Sequence, residues 1–154
     1  MHSIRIGDVV ISSILEHQKL SRTPWDFFVG CDPARARAHL AEMPGFLYDA
    51  ASGRMVLAFH SFVVRTPRSV VMVDTCVGEN KFDIAWDTRP WLDGLHRLGL
   101  DVGDIDYVLC THLHIDHTGW NTRLDNGRWV PTFPRAKYLF ERGEYAYWQR
   151  VAET

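Results

Sequence analysis

The sequence predicts an α/β fold, a mixed sheet with helices packed outside it. Three observations carry this. Short alternating segments open the chain, the run Val70-Val71-Met72-Val73 is wholly apolar, and three stretches carry apolar residues at helical spacing. The length of 154 residues suits one domain, here residues 1–154, with a sizeable core. A net charge of −2 with scattered basic residues excludes a nucleic-acid surface; Arg35 and Arg37 read as a solvated helix face. No apolar run reaches the length of a membrane span, and Met1 to Asp8 lacks the apolar core of a signal peptide, so a cytoplasmic address is expected. Three cysteines without close pairs argue against a disulfide framework; Cys76 and Cys110, at the ends of apolar runs, read as buried thiols.

In chain order, Ile4–Ile6 and Val9–Ile14 flank Gly7-Asp8, the signature of a hairpin. Asp32-Pro33 caps a helix over Ala34–Glu42, because aspartate accepts from the first free amides and proline suits the first turn. Trp25, Phe27 and Phe28 precede it and read as local core, the wall of a substrate pocket being the other reading. Phe46–Tyr48, Met55–Arg65 and Ser69–Val73 read as strands joined by turns at Ala51-Ser52-Gly53 and Thr66-Pro67-Arg68. The apolar Val70–Val73 strand should be internal and covered on both faces. Gly78 to Asp87 reads as loop, and Arg89–Gly99 as a helix with Leu92, Leu95 and Leu98 on one face. Asp106–Cys110 is a further strand, Gly127–Val130 and Lys137–Phe140 a further pair, and Glu141–Val151 an amphipathic helix.

The strand Asp106–Cys110 runs into Thr111-His112-Leu113-His114-Ile115-Asp116-His117-Thr118-Gly119. Eight histidines occur in the chain, and three of them crowd into this segment beside Asp116. Packing does not explain such density, whereas neutral imidazoles with a carboxylate suit zinc and similar metals. In an extended segment His112 and His114 point to the same side and can share one ion. A turn permitted by Gly119 would let Asp116 and His117 face a second position. A solvated loop without metal and a single structural zinc are the competing readings; the second is disfavoured because structural sites draw on cysteine. No Gly-x-Ser-x-Gly elbow and no phosphate-cradling glycine loop is present.

The segment from Thr111 to Gly119 resembles the HxHxDH signature of the metallo-β-lactamase superfamily. Val71-Met72-Val73-Asp74-Thr75 resembles that family's strand ending in Asp-Thr; the family usually has a glycine soon after that pair, and here Cys76 comes next, with Gly78 two further on. Gly119-Trp120-Asn121 and the stretch Pro131-Thr132-Phe133-Pro134 to Tyr138 are similar to the branch of lactonases and organophosphate or methyl parathion hydrolases. The resemblance implies the N-terminal half of an αββα sandwich. It implies His112 and His114 on a first metal and Asp116 and His117 on a second. Asp116 would be catalytic as well as a ligand, and Asp74 would support the loop beneath the metals. It further implies a zinc-dependent hydrolase, with two ions in the complete site, attacking a lactone, ester or phosphoester through a metal-bound hydroxide.

Iron or manganese suits the same donors, so an iron-containing oxidoreductase on this scaffold is the rival activity. No histidine follows His117, although the family draws further ligands from later segments. The complete fold would need roughly 200–250 residues. The chain is therefore expected to be incomplete at its C-terminus, possessing four ligands but not the finished two-metal site. By itself it could be an inactive, merely metal-binding fragment. The missing half or a second chain would pack on the sheet, whose apolar face the few helices cannot cover on both sides.

Overall fold

The computed structural model describes residues 2–81 and 87–153; part of the expected loop Gly78 to Asp87 lies outside them. The described chain forms two compact units, Met1–His17 with Phe59–Thr154, and Gln18–Ala58.

The larger unit is built on a mixed sheet. β1 (Ser3–Ile6) and β2 (Val9–Leu20) form the expected antiparallel hairpin, and Gly7 takes the φ of +58° that its tight turn requires. β4 (Arg54–Arg65) runs antiparallel to β5 (Val70–Val73); its first residues belong to the smaller unit and pair there with β3 (Tyr48–Asp49). The chain then crosses over through α3 (Arg89–Arg97) to reach β6 (Tyr107–Leu109) parallel to β5; α1 (Pro24–Phe27) and α2 (Pro33–Glu42) come earlier in the chain, between β2 and β3. Such a crossover is what parallel neighbours need. α3 lies tightly on β2: a Cβ on Gly94 would sit 2.6 Å from Ile14 Cγ2.

Beyond the histidine segment, which includes the short helix α4 (Ile115–Thr118), the chain forms β7 (Thr122–Asp125) and β8 (Arg128–Pro131). These two make a separate hairpin around Asn126-Gly127, both at positive φ. β9 (Lys137–Leu139) returns to the main sheet parallel to β6, and α5 (Arg142–Ala152) follows. The segments read as a further pair of strands thus do not pair with each other. Each takes a different partner, a tertiary choice that local pattern leaves open.

Cross-strand register divides the sheet's side chains into two rows. Val63, Met72, Val108 and Tyr138 stand opposite one another and turn toward the core, with Trp91 and Leu95 of α3 and the stacked pair Trp91–Trp120. Phe62, Val73, Leu109 and Leu139 form the neighbouring row on the opposite face. There Phe62, Leu109 and Leu139 are exposed and Val73 is half-buried. β5 is internal, between β4 and β6, but it is not covered on both faces as its composition predicts. The described residues bury Met72 and leave Val71 and Val73 partly open.

In the smaller unit, α2 starts as expected, with the Asp32 carboxylate accepting from the Arg35 amide at 2.7 Å. Arg37 lies over the Trp25 ring at 4.3 Å. Phe27 and Phe28 are exposed, so they are not local core; Phe28 instead helps line an apolar pocket of about 350 Å³ with Leu40, Met43 and Met55.

Candidate metal centre

β5 and β6 are parallel neighbours, so their C-terminal ends lie side by side. β5 delivers Asp74 there, and β6 delivers Thr111 and the histidines; the Asp74 amide donates to the Leu109 carbonyl at 2.9 Å. Asp74 is buried, at φ +54°. One carboxylate oxygen accepts from the Thr111 amide, and the other accepts from the Thr111 hydroxyl and faces His117 Nδ1, each at 2.8 Å. With Nδ1 donating its hydrogen to that carboxylate, the lone pair of His117 is at Nε2.

The four sequence-predicted ligands are brought together. His112 Nε2 and His114 Nδ1 stand 3.1 Å apart, and His117 Nε2 is 3.6 Å from Asp116 Oδ2. The His112 ring centroid lies 3.9 Å from that of His117, which joins the two pairs. The path of the chain differs from the sequence expectation. His112 and His114 sit in bends rather than in an extended strand, and the chain turns at His114, φ −68° and ψ 157°, into α4. Asp116 and His117 therefore project from a helical turn that precedes Gly119.

Gly119 has an ordinary helical φ of −57°, so its conformation does not call for glycine. Space does. A Cβ there would lie 1.9 Å from the Val77 carbonyl carbon, and a Cβ on Gly78 2.5 Å from Gly119 C. The loop after β5 and the turn after α4 cross backbone to backbone. His117 O accepts from the Thr75 amide at 2.8 Å, Cys76 O from Gly119 at 2.7 Å, and Thr75 O from Trp120 at 2.8 Å. Cys76 holds φ +48°, a left-handed conformation that glycine adopts more readily than cysteine.

Residues 57–153, well over half of the chain, match the Metallo-beta-lactamase superfamily. The chain belongs to that superfamily. It is 39% identical over 104 residues to the N-acyl homoserine lactonase AttM of Rhizobium radiobacter, covering 56% of this chain and 35% of that protein. The same enzyme of Agrobacterium fabrum is 30% identical over the same shares. Among solved structures, the hydrolase AbOPH aligns with a TM-score of 0.77 at 20% identity, over 99% of this chain and 49% of AbOPH. AidC, a dizinc quorum-quenching lactonase in complex with the product N-hexnoyl-L-homoserine, aligns with a TM-score of 0.76 at 20% identity, over 96% of this chain and 46% of AidC. The chain thus spans about a third of the length of these curated relatives and about half that of the solved structures.

The donor set fits the metal chemistry that this superfamily implies. Two nitrogens bound tetrahedrally at about 2.0–2.1 Å from one ion stand about 3.3 Å apart, close to the spacing of His112 Nε2 and His114 Nδ1. The spacing of His117 Nε2 and Asp116 Oδ2 is similar. Among the described residues no three His, Cys, Asp or Glu side chains converge as a ready metal-ligand set.

Two residues of this site escaped sequence reasoning. Glu144 of α5 accepts from the Leu113 amide, between His112 and His114, at 2.9 Å, and from Trp148 Nε1 at 3.0 Å. Those hydrogen bonds, with the nearby imidazoles contributing less, hold its carboxyl below the usual range. Glu16 is buried on β2 beneath the crossing. Its signal was available: with Ser12 and Ile14 it occupies the inward register of β2, where a carboxylate needs a reason.

Proposed function

We propose that this chain carries the principal ligand segment of a metal-dependent hydrolase that opens lactones. The observation that carries the reading is the pairing of His112 with His114 and of Asp116 with His117, side by side in one segment, with His117 oriented by Asp74. In this reading His112 Nε2 and His114 Nδ1 hold one zinc ion, and Asp116 Oδ2 and His117 Nε2 take part in holding a second. A metal ion held by these residues would supply an acidified water as nucleophile and positive charge for the oxyanion of the attacked carbonyl. Asp74 keeps the His117 imidazole in its ligating tautomer, and Glu144 fixes the main chain between His112 and His114. The names of the curated relatives, N-acyl homoserine lactonases, support the lactone; esters and phosphoesters are the related classes.

A further polypeptide segment or a second chain completes the centre in this proposal. It supplies the remaining ligands and covers the row Phe62, Val73, Leu109 and Leu139. The exposure of that row supports it.

The test is hydrolysis of N-acyl homoserine lactones, aryl esters and phosphotriesters by the intact protein, before and after chelation. Lactone opening lost with the metal and restored by zinc is expected. Turnover indifferent to chelation, or a metal-loaded protein inert on all three classes, would overturn the reading.

A further inference from the structure

We propose that Glu16 is a positioning residue of the metal centre, its buried carboxylate clamping the loop after β5 to the turn that follows His117. This rests on the metal centre proposed above. Glu16 is 3% exposed. Its Oε2 accepts from the Val77 amide at 3.1 Å, and its Oε1 from the Gly78 amide at 3.0 Å and from Trp120 Nε1 at 2.8 Å. These donors flank the place where Gly78 and Gly119 meet backbone to backbone. Val77 and Gly78 belong to the segment that begins at Asp74. Trp120 lies three residues beyond His117, whose carbonyl is held by the Thr75 amide.

A buried carboxylate is costly, and an apolar residue at this inward strand position would cost less. What only a carboxylate offers is acceptor capacity on both oxygens, enough for three donors from two chain segments. A glutamine of the same shape would turn an NH2 group toward one of the N–H donors. Glu16 thus holds the two segments at one separation, and that separation sets where His117 and Asp116 stand relative to His112 and His114.

The experiment compares the intact wild-type protein with Glu16→Gln, Trp120→Phe and Ile105→Val. Ile105→Val shortens a fully buried core residue that makes none of these contacts. Zinc and cobalt affinities are measured by chelator competition, the bound cobalt(II) by its absorption spectrum, and stability by melting of the metal-free protein. Glu16→Gln should weaken binding about 10-fold or more, the scale for groups that orient metal ligands, and alter the cobalt bands. Trp120→Phe, which removes one of the three donors, should shift both readouts less and in the same direction. Ile105→Val should lower the melting temperature with affinity and spectrum unchanged. If Glu16→Gln does not fold, Trp120→Phe carries the test.

Wild-type affinity and spectrum in the Glu16 and Trp120 variants would overturn the proposal. So would a loss that merely tracks stability, as shown by an equal loss in Ile105→Val. A wild-type protein that binds neither ion, or a His114→Ala variant that binds both normally, would instead remove the metal centre, and the role of Glu16 with it.

Discussion

The two faces of the central sheet differ sharply in how far these residues complete them. On one face Val63, Met72 and Val108 are sealed beneath Trp91, Leu95 and Trp120. On the other, Phe62, Leu109 and Leu139 remain exposed although the residues are as apolar. Composition alone therefore does not decide burial; what packs above the strand does. The histidine segment begins at the end of the same strands, and its support comes from the finished side. Asp74, Thr75 and Cys76 hydrogen-bond it from the β5 loop, and Trp120 anchors it in the core.

Substitutions can break or sharpen this contrast. The largest effect is expected from Gly119→Ala, whose methyl would collide with the Val77 main chain. It should cost about 3 kcal/mol or more in urea denaturation, because backbone cannot step aside as a side chain does. Met72→Ala on the sealed face should cost about 2–5 kcal/mol in the same measurement. Asp74→Asn should leave the fold in place but weaken zinc binding about 10–100-fold by chelator competition, since it disturbs the partner of His117 Nδ1. Phe62→Ser, on the open face, should change stability by only about 0.5 kcal/mol. It should also reduce self-association in sedimentation if that apolar row is what associates. A cost as large as that of Met72→Ala would show the open face to be covered after all.

The cysteines give the smallest effect. Burial pushes the Cys76 and Cys110 thiols up. In the native protein near pH 8 a thiol reagent should label Cys31 quickly and the other two slowly; all three should react on unfolding. Folding keeps these thiols protonated, so their contribution is intact below the ordinary thiol range, near about pH 8.5, and declines as pH rises past it.

Much of this architecture could be read from local chemistry. The Gly7 hairpin, the Asp32 cap of α2, the α3 register and the histidine cluster each depend on neighbours in sequence. Pairings between distant segments could not be read that way. β9 joins β6 rather than β8, and β8 pairs with β7 instead. The placement of Gly119 against Val77 is likewise visible only in three dimensions, as is the Glu16 carboxylate against residues 61 and more positions away. The proposed ligands have a sequence signature of their own; residues that reach across the fold have none.

The central claim is that His112, His114, Asp116 and His117 bind metal. It is tested most directly by zinc-edge X-ray absorption of the intact, zinc-loaded protein beside His114→Ala. Nitrogen and oxygen scatterers at about 2.0–2.2 Å, with imidazole outer-shell scattering that diminishes in the variant, are predicted. A sulfur shell at about 2.3 Å, or a spectrum identical in the variant, would contradict it, because the ion would then be held by cysteine or by residues elsewhere.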